Sequence, residues 1–181
     1  MSEDCQDGLH FAGVPDEFQR LWVPYRMAYI DGDSKPSDSS EKECPFCQVP
    51  AKSDDAGLVV KRGEHAYVVL NLFPYNTGHL LVCPYRHVAD YIQLTTEETR
   101  EIAVLTQESI RTLQAVSKPQ GFNLGMNQGS VAGAGIAAHL HQHVIPRWLG
   151  DANFFPLIAK TKALPQLLCD TRTMLANAWV S

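Results

Sequence analysis

The chain lacks both long apolar runs and an excess of basic residues. Its 181 residues contain no apolar stretch of about 18 residues, the length that a membrane span needs, and no apolar run follows a basic start as in a secretory signal. The 15 Lys and Arg are outnumbered by 20 Asp and Glu, which gives a formal net charge of −5. We therefore expect neither a membrane nor a nucleic acid as a partner.

The cysteines also lack the arrangement of a disulfide framework. There are five, an odd number, and Cys5, Cys83 and Cys169 stand far apart. Only Cys44 and Cys47 are close in sequence. This pattern favours a reducing compartment, and we expect the protein in the cytoplasm.

Turn residues divide the rest of the chain into elements. A Thr-x-x-Glu capping box at Thr95 starts a long helix, whose apolar residues recur at helical spacing until Pro119. Apolar and alternating segments predict strands at residues 57–61, 65–71, 79–83, 122–127 and 139–145, and the tail predicts a further helix at 165–179.

These elements indicate an α+β domain, with an antiparallel sheet of about five strands and the long helix on one face. We place the core domain at residues 44–148. Residues 1–43 are an N-terminal extension that ends in a polar linker from residue 31, and residues 149–181 are a C-terminal extension that contains the second helix.

Three histidines alternate near the end of this pattern. His139, His141 and His143 precede the β-favouring pair Val144 and Ile145, so a strand would place three imidazoles on one face. A neutral imidazole can attack phosphorus, relay a proton or bind a metal. The pattern favours catalysis, with a metal comb and a plain histidine-rich tract as the alternatives.

A glycine-rich segment, residues 127–135, leads into the histidines. Such a loop exposes backbone N–H groups that can hold phosphate oxygens. Glycine-rich hairpins are common, but a position directly before three histidines makes a phosphate cradle the better interpretation.

A second cluster is Cys44-Pro45-Phe46-Cys47. The C-x-x-C spacing lets two thiolates reach one tetrahedral Zn²⁺. The redox alternative needs a helix that follows a strand in a thioredoxin-like unit, whereas this motif follows a polar loop.

The histidine segment resembles the signature of the histidine triad family of nucleotide hydrolases and transferases, which is His-apolar-His-apolar-His-apolar-apolar. Residues 71–82, with their Pro-x-x-x-Gly-His turn, resemble the nucleoside-binding segment of that family. Segments 21–27 and 146–154 resemble the branch that includes diadenosine tetraphosphate phosphorylases. The resemblance implies the histidine triad fold and a homodimer joined into a continuous sheet.

The resemblance also implies roles for the histidines. His141 matches the nucleophile that forms a nucleotidyl-histidine, and His143 falls where the family contacts the phosphate and the departing oxygen. For His79 two roles stay open, direct catalysis and a buried brace for the triad. Zinc-bearing relatives supply His87 and His139 as partners of Cys44 and Cys47, which implies a closed structural Zn²⁺ site.

The positions implied for substrate binding lie on both sides of the triad. Asn71 matches the residue that holds the ribose hydroxyls, and Arg147 is either a phosphate donor or a strand-end salt-bridge residue. The others are Asn127, Gln128, Gly133, Ala134, Gly135 and Trp148. Two positions depart from the family pattern, because Gln142 replaces an apolar residue and Ala134-Gly135 stands where many members carry Gln followed by Ser or Thr.

The sequence therefore predicts an enzyme that attacks the α-phosphate of a nucleotide resembling a diadenosine polyphosphate. The covalent nucleotidyl-histidine would be resolved by phosphate or by water. The alternatives are an adenosine phosphoramidate hydrolase and a nucleotide-binding module without turnover.

Overall fold

The computed structural model describes residues 40–149, 151 and 167–180. The segment 21–27 and most of the linker 31–43 lie outside the described residues, as do residue 150 and residues 152–166. The described residues include the whole predicted core domain.

Within these residues the chain forms one sheet of five strands, in the order β1-β2-β3-β5-β4, and each neighbouring pair is antiparallel. The strands are β1 (Val59–Arg62), β2 (Ala66–Leu70), β3 (Leu80–Pro84), β4 (Gly121–Met126) and β5 (Gln142–Arg147). The predicted antiparallel sheet is confirmed, and β1 and β4 form its edges.

Four α-helices accompany the sheet in the described part of the chain. They are α1 (Pro45–Gln48), α2 (Asp54–Gly57), α3 (Thr96–Ser117) and α4 (Leu168–Asn177). The capping box predicted for α3 is present, since the Thr95 hydroxyl accepts from the Glu98 amide and the Glu98 carboxylate accepts from the Thr95 amide. None of the described helices is long and apolar enough to cross a bilayer.

Both faces of the central strands are covered, which is why β2 and β3 are buried at every residue. Helices α3 and α4 cover one face, where the core consists of Val60, Ala66, Val68, Leu70, Leu80, Val82, Ile102, Leu105, Leu113, Val144 and Leu175. The other face packs against the C-x-x-C segment through Val59, Tyr67, Val69, Leu81 and Cys83. The expectation of a single covering helix was therefore incomplete.

The strand predicted at residues 139–145 begins later than expected. Strand β5 starts at Gln142, so His139 and His141 precede the hydrogen-bonded ladder. The three imidazoles still lie on one side of the sheet, because His143 pairs with Leu81 of the face that packs on the C-x-x-C segment, and the Phe46 ring of that segment contacts His139 and His141. The predicted start of the strand was wrong, because alternation in sequence does not fix where pairing begins.

The turn before β3 needs glycine. Gly78 has φ +78°, and a Cβ at this position would lie 3.0 Å from the Leu113 side chain of α3. The close approach of this turn to α3 sets the start of β3, and with it the position of His79.

A half-buried carboxylate fixes the β1–β2 hairpin. Glu101 of α3 accepts hydrogen bonds from the backbone amides of Glu64 and Ala66, at 2.9 and 2.7 Å, and from that of His65 between them. Burial opposes ionisation of Glu101, but the three amides outweigh it and hold the pKa below its usual range.

We expect Glu101→Gln to lower the free energy of unfolding at pH 7 by roughly 1–3 kcal/mol, because an amide cannot accept all three bonds as a carboxylate does. The folded pKa lies below the unfolded one, so this stabilisation is present above the unfolded pKa and is lost as pH falls through the folded pKa. Urea unfolding at pH 7 and pH 3 measures it. Glu97→Gln, at an exposed residue of the same helix, is the matched control, and an equal loss in both variants would contradict the assignment.

Candidate functional site

The C-x-x-C segment brings two sulfurs to two imidazoles. Cys44, Cys47, His87 and His139 each offer one ligand atom, and these atoms all lie within 4.8 Å of one another. The Nδ1 atom of His139 is 3.4 Å from each sulfur, and the Nδ1 atom of His87 is 3.2 Å from Cys47 Sγ. All four residues predicted as metal ligands therefore meet in one place.

The chemistry of this cluster fits a divalent metal ion. The Nε2 atom of His139 donates to the Pro84 carbonyl at 3.0 Å, which leaves an unprotonated Nδ1 facing the sulfurs. Burial lowers the pKa of His139 to about 4. Burial and the neighbouring Cys44 raise the pKa of Cys47 well above its usual value. The Cys47 thiol therefore resists ionisation without a cation, and a bound divalent ion would favour its thiolate form.

The backbone of His139, one of the four residues of the Cys-His cluster, orients the His141 ring. Its Nδ1 donates to the His139 carbonyl at 2.9 Å, so in the neutral ring Nε2 carries the lone pair. Burial lowers the pKa of His141, which keeps the ring neutral. A neutral imidazole with a free lone pair is the form that acts as a nucleophile.

His143 has the opposite tautomer. The Tyr75 amide donates to Nδ1 of His79 at 3.1 Å, so His79 carries its proton on Nε2. This Nε2 donates to Nδ1 of His143 at 2.9 Å, which places the His143 proton on its own Nε2. Burial lowers the pKa of His143 to about 4. His143 is therefore a neutral donor, with its ring centroid 4.9 Å from that of His141.

The histidines of the site differ in their exposure to solvent. His79 and His139 are fully buried, whereas His141 and His143 keep 5% and 9% of their surface exposed. Of the two roles left open for His79, complete burial and the bond to His143 favour the brace. Asn71, expected at the ribose, places its Nδ2 3.2 Å from His79 Nδ1 and accepts from the Phe73 amide.

The glycine-rich loop has fewer available amides than the sequence suggested. The Gly133 amide donates to the Ser130 carbonyl at 3.0 Å, and the Ala134 amide to the Gly129 carbonyl at 3.4 Å. Both amides thus close the turn of the loop itself. The phosphate-binding role expected of the Gly135 amide stays a prediction.

Asn127 and Gln128 hold this loop in place. The Asn127 amide donates to the Gly133 carbonyl at 3.4 Å, and Gln128 Oε1 accepts from the Tyr91 amide at 3.1 Å. Gln142, the departure from the family pattern, donates to the Gly125 carbonyl of β4 at 3.3 Å. It therefore makes a contact between strands β5 and β4.

Arg147 and Trp148 lie at the far end of β5. Arg147 is four residues beyond His143, about 13 Å along a strand, and its guanidinium binds Asp151 at 2.7 and 2.9 Å and Asn123 at 2.6 Å. The Trp148 indole donates to the Ser117 carbonyl at the end of α3. The salt-bridge alternative for Arg147 matches these contacts, and we assign neither residue to the phosphate.

Asp151 is a polar hub that sequence reasoning missed. It accepts from Arg147, from the Trp148 amide at 3.0 Å and from the Asn76 side chain at 2.7 Å. The Asn76 carbonyl in turn accepts from the His79 amide at 3.1 Å. The hub therefore ties the end of β5 to the loop that carries His79. One of its partners, Asn76, lies 75 positions away in sequence. The spacing of four residues between Arg147 and Asp151 was the one sign of this hub in the sequence.

The chain matches the model of the HIT domain over residues 53–148. Together with the paired tautomers of His141 and His143, this match defines the class of the protein: it belongs to the histidine triad, or HIT, family.

Three relatives illustrate the relationship. An AP-4-A phosphorylase of Mycobacterium tuberculosis is 51% identical over 170 residues, which cover 92% of this chain and 87% of that protein. A bifunctional bis(5'-adenosyl)-triphosphatase/adenylylsulfatase of Arabidopsis thaliana is 33% identical over 86 residues, 48% of this chain and 47% of that one. A Zn-bound histidine triad family protein of Mycobacterium smegmatis superimposes with a TM-score of 0.62 at 25% identity, covering 77% of this chain and 94% of that one.

Proposed function

We propose that this protein is a nucleotidyl-transfer enzyme that cleaves a dinucleoside polyphosphate at its α-phosphate through a covalent nucleotidyl-histidine. One observation carries the proposal. His141 presents a lone pair on Nε2, and the neighbouring His143 presents an N–H on its own Nε2, so a nucleophile and a hydrogen-bond donor lie side by side.

The chemistry follows from these two tautomers. Nε2 of His141 attacks the α-phosphorus and forms the P–N bond, while the P–O bond to the leaving nucleotide breaks. The electron pair of that bond stays on the leaving oxygen, which accepts a hydrogen bond from the Nε2–H of neutral His143. The Gly135 amide is the backbone donor for the phosphoryl oxygens. An oxygen of the acceptor then attacks phosphorus, and the P–N electrons return to His141.

The relatives suggest the substrate and the acceptor. The 51% identity to an AP-4-A phosphorylase extends over 92% of the chain, which supports diadenosine tetraphosphate as substrate and inorganic phosphate as acceptor. Two alternatives remain within the same site. An adenosine phosphoramidate would place an amine as the leaving group beside His143, and water could replace phosphate as the acceptor.

A nucleotide-binding module without turnover is the alternative from another class. The Ala134-Gly135 departure supports it, since these two positions lack the side-chain amide and the hydroxyl that many family members carry there. The intact tautomer pair opposes it, because binding alone needs no fixed lone pair on His141.

For the metal cluster we propose a structural Zn²⁺ ion held by Cys44, Cys47, His87 and His139. Two sulfurs and two imidazole nitrogens are a donor set that suits zinc, and four protein ligands leave no position for a reactive water. When bound, the ion would supply structural cross-linking between the C-x-x-C segment and the chain before β5.

The homodimer and the cytoplasmic location stay predictions. Strand β4 is an edge, and its Leu124 side chain is 51% exposed, which supports continuation of the sheet into a second copy. The charge of −5 and the scattered cysteines support the cytoplasm.

His141→Asn should abolish turnover and leave nucleotide binding and the fold largely intact, because the amide fills much of the imidazole's space without its nucleophilic nitrogen. His143→Asn should slow the reaction by about 10²–10⁴-fold and keep the nucleophile. Intact-mass analysis after a quench without acid should show a nucleotidyl adduct in wild type and none in His141→Asn. Wild-type rates in that variant would overturn the histidine mechanism.

The acceptor is tested by product analysis with diadenosine tetraphosphate at increasing phosphate concentration. Phosphorolysis should give ADP and ATP, at a rate that rises with phosphate, whereas hydrolysis gives AMP and ATP. An adenosine phosphoramidate serves as the comparison substrate. A product ratio that ignores phosphate would end the phosphorylase assignment and leave the covalent mechanism standing.

Elemental analysis of the purified protein should find about one zinc per chain. Chelation or Cys44→Ser should lower the thermal midpoint before it alters the chemistry, because the ligands surround the strand end and not the reacting nitrogen. Cys169→Ser, at an exposed cysteine outside the cluster, is the matched control. Protein made with zinc present that contains none would contradict this proposal.

A further inference from the structure

Phe46, which lies between the two cysteines of the metal cluster, reaches the nucleophile with its ring. Its ring centroid is 4.9 Å from that of His141, with the planes at 46°, and 5.6 Å from that of His139, with the planes at 67°. Both distances fall in the range of roughly 4.5–7 Å in which aromatic rings pack favourably. One side chain therefore contacts both a ligand imidazole and the attacking imidazole.

The backbone of Phe46 is held by the sheet. The hydroxyl of Tyr67, a fully buried residue of β2, donates to the Phe46 carbonyl at 2.7 Å. The Phe46 side chain also packs on the cluster that includes Val59 and Cys83. The ring is therefore placed by the rigid centre of the sheet and by the metal loop together.

His141 needs a second restraint beyond its hydrogen bond. The bond from Nδ1 to the His139 carbonyl fixes the tautomer, but a ring can tilt about a single hydrogen bond. Phe46 at 4.9 Å and His143 at 4.9 Å and 68° confine the ring from two directions. Attack at phosphorus depends on the direction in which Nε2 points. Displacement of this atom by about 1 Å can lower the rate on the order of 10²-fold.

We propose that Phe46 is a positioning residue for the nucleophile, one that sets the plane of the His141 ring and so links the geometry of the metal loop to the reacting nitrogen. The inference deepens the proposed function and rests on it. It differs from an apolar filling role, in which any side chain of similar volume would serve as well.

The decisive variant is Phe46→Leu, which keeps an apolar side chain of similar size and removes the ring. We expect kcat to fall by roughly 10- to 100-fold with KM within about 3-fold and zinc content unchanged. Phe46→Tyr retains the ring and should keep kcat near wild type. Val49→Ala is the matched control, because Val49 packs on the same cluster from the next turn and is not part of the ring contact.

A second measurement separates this inference from the proposed function. The ¹⁵N and ¹³C signals of the His141 imidazole in substrate-free protein should shift and broaden in Phe46→Leu and stay in place in Val49→Ala. If wild-type protein shows no turnover, the proposed function fails, but the ring signals still test the positioning role. Unchanged His141 signals or a wild-type kcat in Phe46→Leu would overturn it.

Tyr67→Phe gives an independent test that leaves the Phe46 ring in place. It removes only the hydroxyl that holds the Phe46 carbonyl. We expect a fall in kcat in the same direction, by roughly 3- to 10-fold, with zinc retained. Loss of zinc in Phe46→Leu, with kcat restored by added zinc, would assign the ring to metal retention and so contradict the proposal.

Discussion

Four histidines of the site, namely His79, His139, His141 and His143, each have one ring nitrogen held by a hydrogen bond inside the protein, and this constraint decides what the other nitrogen can do. Backbone carbonyls hold one nitrogen of His139 and one of His141, and the Tyr75 amide holds His79, which in turn holds His143. A neutral imidazole has one donor and one acceptor, so these bonds fix the position of each proton. The same residue type thereby supplies the proposed metal ligand, nucleophile, brace and hydrogen-bond donor within one cluster.

The sheet makes this arrangement possible because both of its faces are covered. Helices α3 and α4 bury one face, and the C-x-x-C segment buries the other through Tyr67 and its neighbours. The C-x-x-C segment, which carries Cys44 and Cys47, is therefore part of the layer that covers this face of the sheet. The His139 carbonyl accepts from His141, and the Phe46 ring packs against His141, so order in this layer reaches the proposed nucleophile through both contacts.

The features that could be predicted from the sequence are local or carried by motifs. The capping box at Thr95 lies within four consecutive residues, and the C-x-x-C spacing predicts a metal site before any fold is known. The strand at residues 139–145 was misjudged at its start, because periodicity does not reveal where the ladder with β3 begins. The Asp151 hub could not be predicted, since its bond to Asn76 joins residues 75 positions apart and depends on strand register.

The contacts of Phe46 were missed for a related reason. Phe46 stands between Cys44 and Cys47, whose spacing predicts a metal site, but the spacing does not show which way the Phe46 ring points. Ring packing depends on the path of the chain at His141, almost a hundred positions later. The glycine-rich loop gave the opposite error. Its local pattern predicted that the Gly133 and Ala134 amides would be available to phosphate oxygens, but both amides donate to carbonyls within the loop.

The electrostatics of the site favour one kind of phosphorus. Burial keeps His141 and His143 neutral, and Arg147, the cation nearest to the triad in sequence, is paired with Asp151. Charge on the transferred phosphoryl group must then be balanced by oriented N–H dipoles rather than by a fixed cation. Dipoles suit an internal phosphorus of a polyphosphate, which bears one negative charge, better than a terminal phosphate, which bears close to two at neutral pH. The neutrality of the histidines is thus consistent with attack at the α-position.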